Sequence, residues 1–259
     1  MATALITGAS AGLGTDFARI LASQKYDLIL TARNEEKLKT LAGELSATHG
    51  VKCHTISADL AKSGSAASLA RQIKERGLKV DVLVNNAGCG LWGPFAQSTP
   101  ADMAGMIQLN VNTLTELTRE FLPDMITRKQ GRVLNVASTA AFQPGPWMAV
   151  YYATKAYVLS FGEALATELK GTGVTVTTLC PGPTRTEFFE RAKMGQSRLK
   201  SMIFADSLTC AKTGIDSMHL GRVVVVDGVM NWIFSQSARF LPRAATRSIT
   251  GTINAASKG

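Results

Sequence analysis

Cysteine and histidine are scarce in this 259-residue chain, and neither type clusters. Cys53, Cys89, Cys180 and Cys210 are scattered, with no C-x-x-C pair and no histidine at metal-ligand spacing. That excludes a disulfide framework or a zinc site as the organising device, and reduced thiols in a cytosolic protein are expected. His49, His54 and His219 fall at expected helix ends, strands or loops and are read as structural. Long apolar runs are missing as well. Stretches such as Val229–Phe234 fall far short of the ~20 residues that span a bilayer, and no basic-then-apolar leader precedes the first strand. A soluble, cytoplasmic protein is therefore expected. Acidic residues are the minority, 19 against 28 Lys and Arg, for a net charge of +9. From Arg185 onward 11 basic residues face 5 acidic ones, so +6 of that surplus lies in the last 75 residues. No Lys/Arg run interleaved with aromatics accompanies it, and nucleic acid is not an expected partner. The surplus is read as solvated surface and as an attraction for a phosphate-rich cofactor.

What the chain does have is alternation. β-rich apolar runs at Ala2–Thr7, Asp27–Ala32, Val51–Ser57, Val80–Asn85, Arg132–Ser138, Val174–Cys180 and Arg222–Val226 read as strands. Helical patterns separate them near residues 12–24, 34–49, 62–76, 101–127, 148–171 and 185–195. The central strands are apolar on both faces, as when helices cover both sides of a parallel sheet. Strand then helix, repeated about six times, predicts a doubly wound, Rossmann-like α/β fold of about seven parallel strands. No linker, repeat or low-complexity segment interrupts it, so residues 1–259 are read as one domain. Between Met194 and Gly221 helical and loop signals mix, and the part after Gly228 is ambiguous.

The first strand runs straight into Gly8-Ala9-Ser10-Ala11-Gly12-Leu13-Gly14 and then a helix. Glycines there let the backbone turn sharply and approach a pyrophosphate seated on helix N-terminal amides. The spacing, GxxxGxG, differs from the common GxGxxG fingerprint, so position at the strand end carries the reading. After the second strand comes Thr31-Ala32-Arg33-Asn34. A carboxylate at that point binds the ribose 2′-hydroxyl of NAD, whereas arginine accepts the 2′-phosphate of NADP. Arg33 therefore selects NADP(H). Asp59, before Leu60, is placed either against an adenine amino group or as the cap of the next helix.

Tyr151 and Lys155 lie four apart in an expected helix and share one face. A tyrosine phenol is a poor base at neutral pH. A neighbouring ammonium favours its phenolate, so the pair suits proton transfer to a carbonyl oxygen. Ser138, ending the fifth strand, adds a hydroxyl at the carboxyl edge of the sheet. Asn110 adds an amide from the preceding helix, and Asn85-Asn86-Ala87-Gly88 closes the fourth strand.

These residues resemble the short-chain dehydrogenase/reductase family. The resemblance covers Ala2 to about Thr186 and includes Thr7-Gly8-x-x-x-Gly12-x-Gly14, Asn85-Asn86-Ala87-Gly88, Asn110, Ser138, Tyr151-x-x-x-Lys155 and Pro181-Gly182-Pro183-Thr184. It implies that Tyr151 is the general acid/base, and that Lys155 lowers its pKa and binds the nicotinamide ribose. It further implies that Ser138 orients the carbonyl, that Asn110 holds a water relaying protons from Lys155, and that Pro181, Gly182 and Thr184 meet the nicotinamide end. Pairing through the Tyr151 helix and the one before it, as a homodimer or homotetramer, follows from the same resemblance.

The substrate pocket is expected to be lined by Cys89, Leu91, Trp92, Ala140, Phe142, Met148 and the substrate-side region 185–221. That lining favours a hydrophobic ketone or aldehyde. The apolar and basic tail, 229–259, is read as packing on its own domain or a partner subunit, with a peripheral membrane contact as the alternative. The function expected is an NADPH-dependent carbonyl reductase, reversible as an alcohol dehydrogenase. The competing reading is a non-catalytic NADP-binding sensor or scaffold on the same fold, and the retained tyrosine, lysine and serine argue against it.

Overall fold

The computed structural model describes residues 1–195, 197 and 205–256. Seven strands form: β1 (Thr3–Thr7), β2 (Asp27–Ala32), β3 (Cys53–Ser57), β4 (Val82–Asn85), β5 (Gly131–Val136), β6 (Val174–Cys180) and β7 (Val224–Val226). All pair in parallel, in the order β3-β2-β1-β4-β5-β6-β7. The helices are α1 (Leu13–Ser23), α2 (Glu35–His49), α3 (Ser65–Glu75), α4 (Pro100–Ile107), α5 (Leu114–Thr127), α6 (Ala149–Glu168), α7 (Phe188–Arg191), α8 (Ser207–His219), α9 (Val229–Ser237) and α10 (Arg243–Asn254).

Successive strand residues point to opposite faces, and both faces are apolar, so two cores form. Ala4, Ile6, Leu28, Leu30 and Leu134 face one way, under Phe17 and Leu21 of α1, Leu41 and Leu45 of α2, and Ile215 and Met218 of α8. Leu5, Ile29, Leu83, Val133 and Val176 face the other, under Leu69 and Ile73 of α3, Leu117 and Phe121 of α5, and Leu165 of α6. The chain leaves β1 for β2 on one side and returns to β4 on the other. The loops after β1 and β4 therefore part at the carboxyl edge, the crevice where such sheets bind ligands.

Four expectations change. The single helix expected over 101–127 is broken by a π turn at Gln108–Thr113, between α4 and α5. The helix expected near 185–195 shrinks to the single turn α7. The mixed stretch 194–221 contains a full helix, α8, capped by the Asp206 carboxylate accepting from Thr209 N–H at 2.8 Å. Its serines and threonines have low helix propensity, and Gly214 is needed because a Cβ there would meet Leu179 at 2.8 Å. Tertiary packing makes this helix where local sequence does not. The strand starts expected at Val51, Val80 and Arg222 each fall two residues later.

Candidate active site

The glycine loop is shaped by backbone that side chains cannot follow. Gly8 and Gly12 have φ of 68° and 54°, where a Cβ is penalised. A Cβ on Gly8 would also meet Asn86 Nδ2 at 2.9 Å, and one on Gly14 would collide with the Gly8 carbonyl. Thr7 works behind the loop: its hydroxyl donates to the Val84 carbonyl at 3.2 Å and accepts from Asn86 N–H at 3.0 Å and Ala87 N–H at 2.9 Å. Asn86 Nδ2 donates back to the Thr7 carbonyl at 2.8 Å. Thr7 and Asn86 thus bind the ends of β1 and β4 together and fix the crevice.

That crevice opens into a cavity of about 940 Å³. Gly8, Ser10, Ala11, Gly12 and Leu13 line it, with Arg33, Asn34, Asp59 and Leu60 at one end and Asn86, Ala87 and Gly88 along the side. Arg33 is exposed, and no carboxylate pairs with it among the described residues. Asn34 caps α2, accepting from Lys37 N–H at 2.9 Å. Asp59 accepts from Ala61 N–H at 3.2 Å, closing a local turn. It does not cap α3, which begins at Ser65 behind Gly64. Backbone amides at the start of α1 suit a diphosphate, and an unpaired guanidinium suits a further phosphate. The donor set fits a phosphorylated dinucleotide.

At the other end stand Ser138, Tyr151, Lys155, Pro181, Gly182 and Thr184. Lys155 is buried at 6% exposure, its ammonium donating to the Val136 carbonyl at 2.8 Å and lying 5.8 Å from the centre of the Tyr151 ring. Burial pushes its pKa down to about 8. The Tyr151 phenol moves up, not down: burial dominates, and the Ser138 hydroxyl only partly offsets it. The net direction is thus opposite to the lowering that the resemblance implies, with burial outweighing its neighbours. A lysine so desolvated is itself half-neutral near pH 8 and holds little phenolate against the burial cost. Ser138 also accepts from Ala140 N–H at 3.1 Å and donates to the Pro181 carbonyl at 3.4 Å.

Asn110 is buried in the π turn. Its Oδ1 accepts from Cys89 N–H at 2.9 Å, and its Nδ2 donates to the Cys89 carbonyl at 2.8 Å and to Thr154 Oγ1 at 3.0 Å. Both amide hydrogens are engaged, and the side chain holds the loop after Gly88. A Cβ on Gly88 would sit 3.3 Å from Asn110 Oδ1 and 3.5 Å from Lys155 Nζ, which places the three together.

Of the expected pocket residues, Cys89, Ala140 and Met148 line the cavity; Leu91, Trp92 and Phe142 do not. The Trp92 indole N–H donates to the Asn254 carbonyl at 2.7 Å, and its ring stacks on Trp147. Phe142 packs into a small core with Leu114 and Val158. The cavity wall is built instead by Met106, Leu109, Phe188 and Phe189, and by Phe234, Leu241, Ile249 and Ile253 of the last two helices and their connection. Of the 185–221 region, Glu187 pairs with Lys37 at 3.6 Å and Thr186 sits against Gly12, drawing the segment over the glycine loop.

Sequence reasoning missed Asn231 and Asn254. Asn231 lines the cavity against Gly182, where a Cβ would collide with it. Asn254, fully buried, donates to the Pro146 carbonyl at 3.0 Å and bonds the Tyr152 hydroxyl at 3.1 Å, tying α10 to the Tyr151 helix. The only sequence signal was the i, i+4 spacing of Thr246, Thr250 and Asn254.

A family profile described as short chain dehydrogenase matches residues 2–197. Sulfoacetaldehyde reductase 2 of Chromohalobacter salexigens is 38% identical over 78% of this chain and 81% of its own length. A ketoacyl reductase of Nostoc sp. is 35% identical over 70% of this chain. The matched part spans 62% of that protein's length and 52% of another curated relative's. A solved short-chain dehydrogenase from Sphingobium yanoikuyae, in complex with NADPH, superposes with a TM-score of 0.83 at 30% identity, covering 93% of this chain and 94% of its own.

Proposed function

Because the chain belongs to the short-chain dehydrogenase family, and is thus an oxidoreductase of the nicotinamide-dependent kind, we propose that it is an NADPH-dependent reductase of hydrophobic ketones or aldehydes. One observation carries this reading: Tyr151, Ser138 and Lys155 meet at one end of a single cavity whose other end is the glycine loop and Arg33. Solved neighbours include complexes with NADPH and with NAD, so the choice of NADPH rests on Arg33 and on the lack of an acidic residue at the end of β2.

Gly8 and Ser10–Leu13 would hold the diphosphate, Arg33 the 2′-phosphate, and Lys155 with Pro181, Gly182 and Thr184 the nicotinamide end. A bound nicotinamide supplies the hydride; the chain supplies orientation and the proton. Ser138 donates a hydrogen bond to the carbonyl oxygen and aims it at Tyr151. Tyr151, a phenol that is protonated at neutral pH, gives its proton to the oxygen as negative charge develops there. Apolar walls from Met106, Leu109, Phe188 and Phe234 suit a hydrophobic substrate. Cytoplasmic placement and a homo-oligomer paired through α5 and α6 belong to this reading and rest on family membership.

The test is turnover of NADPH with a panel of hydrophobic ketones and aldehydes by the wild type and Tyr151→Phe. The variant should lose roughly 10²–10⁴-fold in kcat, the worth of a positioned acid, and keep its NADPH affinity. Undiminished turnover refutes the role. A wild type that binds NADPH and reduces nothing on the panel supports the sensor reading.

A further inference from the structure

Helix α9 is folded with its polar side inward. α9 turns Ser235 and the half-buried Asn231 toward the domain, and Val229, Met230, Trp232, Ile233 and Phe234 toward solvent. α10 buries Thr246, Thr250 and Asn254 and leaves Ile249 exposed. Between them Phe240 is 86% exposed, with Leu241 beside it. A helix resting on its own domain in water carries the reverse pattern. Scattered surface apolar residues need no explanation, but a contiguous patch marks a docking surface. Around it Arg239, Arg243 and Arg247 are exposed and without ion-pair partners among the described residues. From Gly228 onward the sequence holds four basic residues and no acidic one.

We propose that this face docks on an anionic lipid surface, with Trp232 and Phe240 at the acyl boundary and the three arginines at lipid phosphates. Charge decides the occupant. No carboxylate on α9 or α10 pairs these arginines among the described residues, whereas anionic headgroups neutralise them. The patch also continues into the cavity, since Phe234, Leu241 and Ile249 are exposed and line it. Docking therefore turns the cavity mouth toward the bilayer, where apolar ketones partition. This last consequence rests on the reductase reading; docking itself does not.

The NADPH-loaded full chain is floated with phosphatidylcholine vesicles and with phosphatidylcholine–phosphatidylglycerol vesicles. It should float with the anionic vesicles, weakly or not at all with the neutral ones, and less as salt rises. Each basic residue near an anionic surface strengthens binding roughly fivefold. The triple variant Arg239→Glu/Arg243→Glu/Arg247→Glu should thus lose at least about tenfold in partitioning, as should Trp232→Ser/Phe240→Ser. An unchanged thermal shift on NADPH addition shows that both variants remain folded. Absence of flotation, or equal flotation with both vesicle types, overturns the proposal. If Trp232→Ser/Phe240→Ser instead lowers the oligomeric state of the protein, the face is a contact between copies and the proposal is overturned. Flotation is scored without turnover, so failure of the reductase reading leaves this result interpretable.

Discussion

Lys155 carries a stability cost that can be measured apart from any reaction. Its ammonium sits where little water reaches, and burial brings its pKa from the ordinary 10.5 to about 8. The unfolded chain holds this proton up to about pH 10.5 and the folded one only to about 8. Between those limits the unfolded state binds more protons, so stability rises with pH and the penalty is complete below about pH 8. The displacement corresponds to about 3 kcal/mol. Lys155→Met removes that penalty but gives up the bond to the Val136 carbonyl, roughly 1 kcal/mol. In urea unfolding of the cofactor-free protein the variant should therefore be more stable at pH 7 by about 2 kcal/mol. The difference should shrink as pH rises, pass through zero before about pH 10.5 and reverse above it by roughly the 1 kcal/mol of the lost bond, while turnover is lost throughout. A pH-independent difference would mean that Lys155 titrates normally. Tyr151, Lys155 and Ser138 were legible from spacing because helix and strand periods put them on one edge. The direction of the Tyr151 pKa was not, because it depends on burial, which spacing does not report.

Gly162 shows how one missing side chain seats a whole helix. It lies two turns beyond Lys155 on the same face of α6, and a Cβ there would collide with Thr178 Oγ1 of β6. That hydroxyl is buried and has no hydrogen-bond partner among the described residues. Gly162→Ala must lift α6 from the sheet, at a cost of roughly 1–3 kcal/mol, and draw Lys155 from the Val136 carbonyl, so turnover falls with stability. Thr178→Ala makes room and removes an unsatisfied group. The pair Gly162→Ala/Thr178→Ala should recover most of the loss, and a double-mutant cycle that shows simple additivity would reject the contact. Elements with strong periodicity, β1 to β6 and helices α1, α2, α3 and α6, were readable in the sequence to within a few residues. The π turn around Asn110 was not, since one extra residue in a helical turn leaves the apolar pattern nearly intact. Nor was the inverted packing of α9, because an apolar stripe is ordinarily assigned to the inside.

Across the molecule, the large cavity joins three parts of the chain with different legibility. The phosphate loop and the Tyr151 end are local motifs at strand termini, and both were readable. The third wall comes from α9, α10 and their connection, which reach the cavity only through long-range contacts such as Asn254 with Tyr152 and Pro146; no local pattern encodes them. Cofactor preference can be tested through the stability of the whole chain. A ligand at one hundred times its Kd stabilises the folded state by about 2.7 kcal/mol, which for a chain of this size raises Tm by roughly 5–10 °C. NADPH should produce that shift at a concentration where NADH produces a much smaller one. Arg33→Ala removes charge-assisted bonds to the 2′-phosphate and should weaken NADPH roughly ten- to hundredfold while leaving NADH unchanged. The two cofactors should then give nearly equal shifts at equal concentration. Equal shifts already in the wild type would reject the preference for NADPH. A parallel loss for both cofactors in Arg33→Ala would place the guanidinium on some part of the dinucleotide other than the 2′-phosphate.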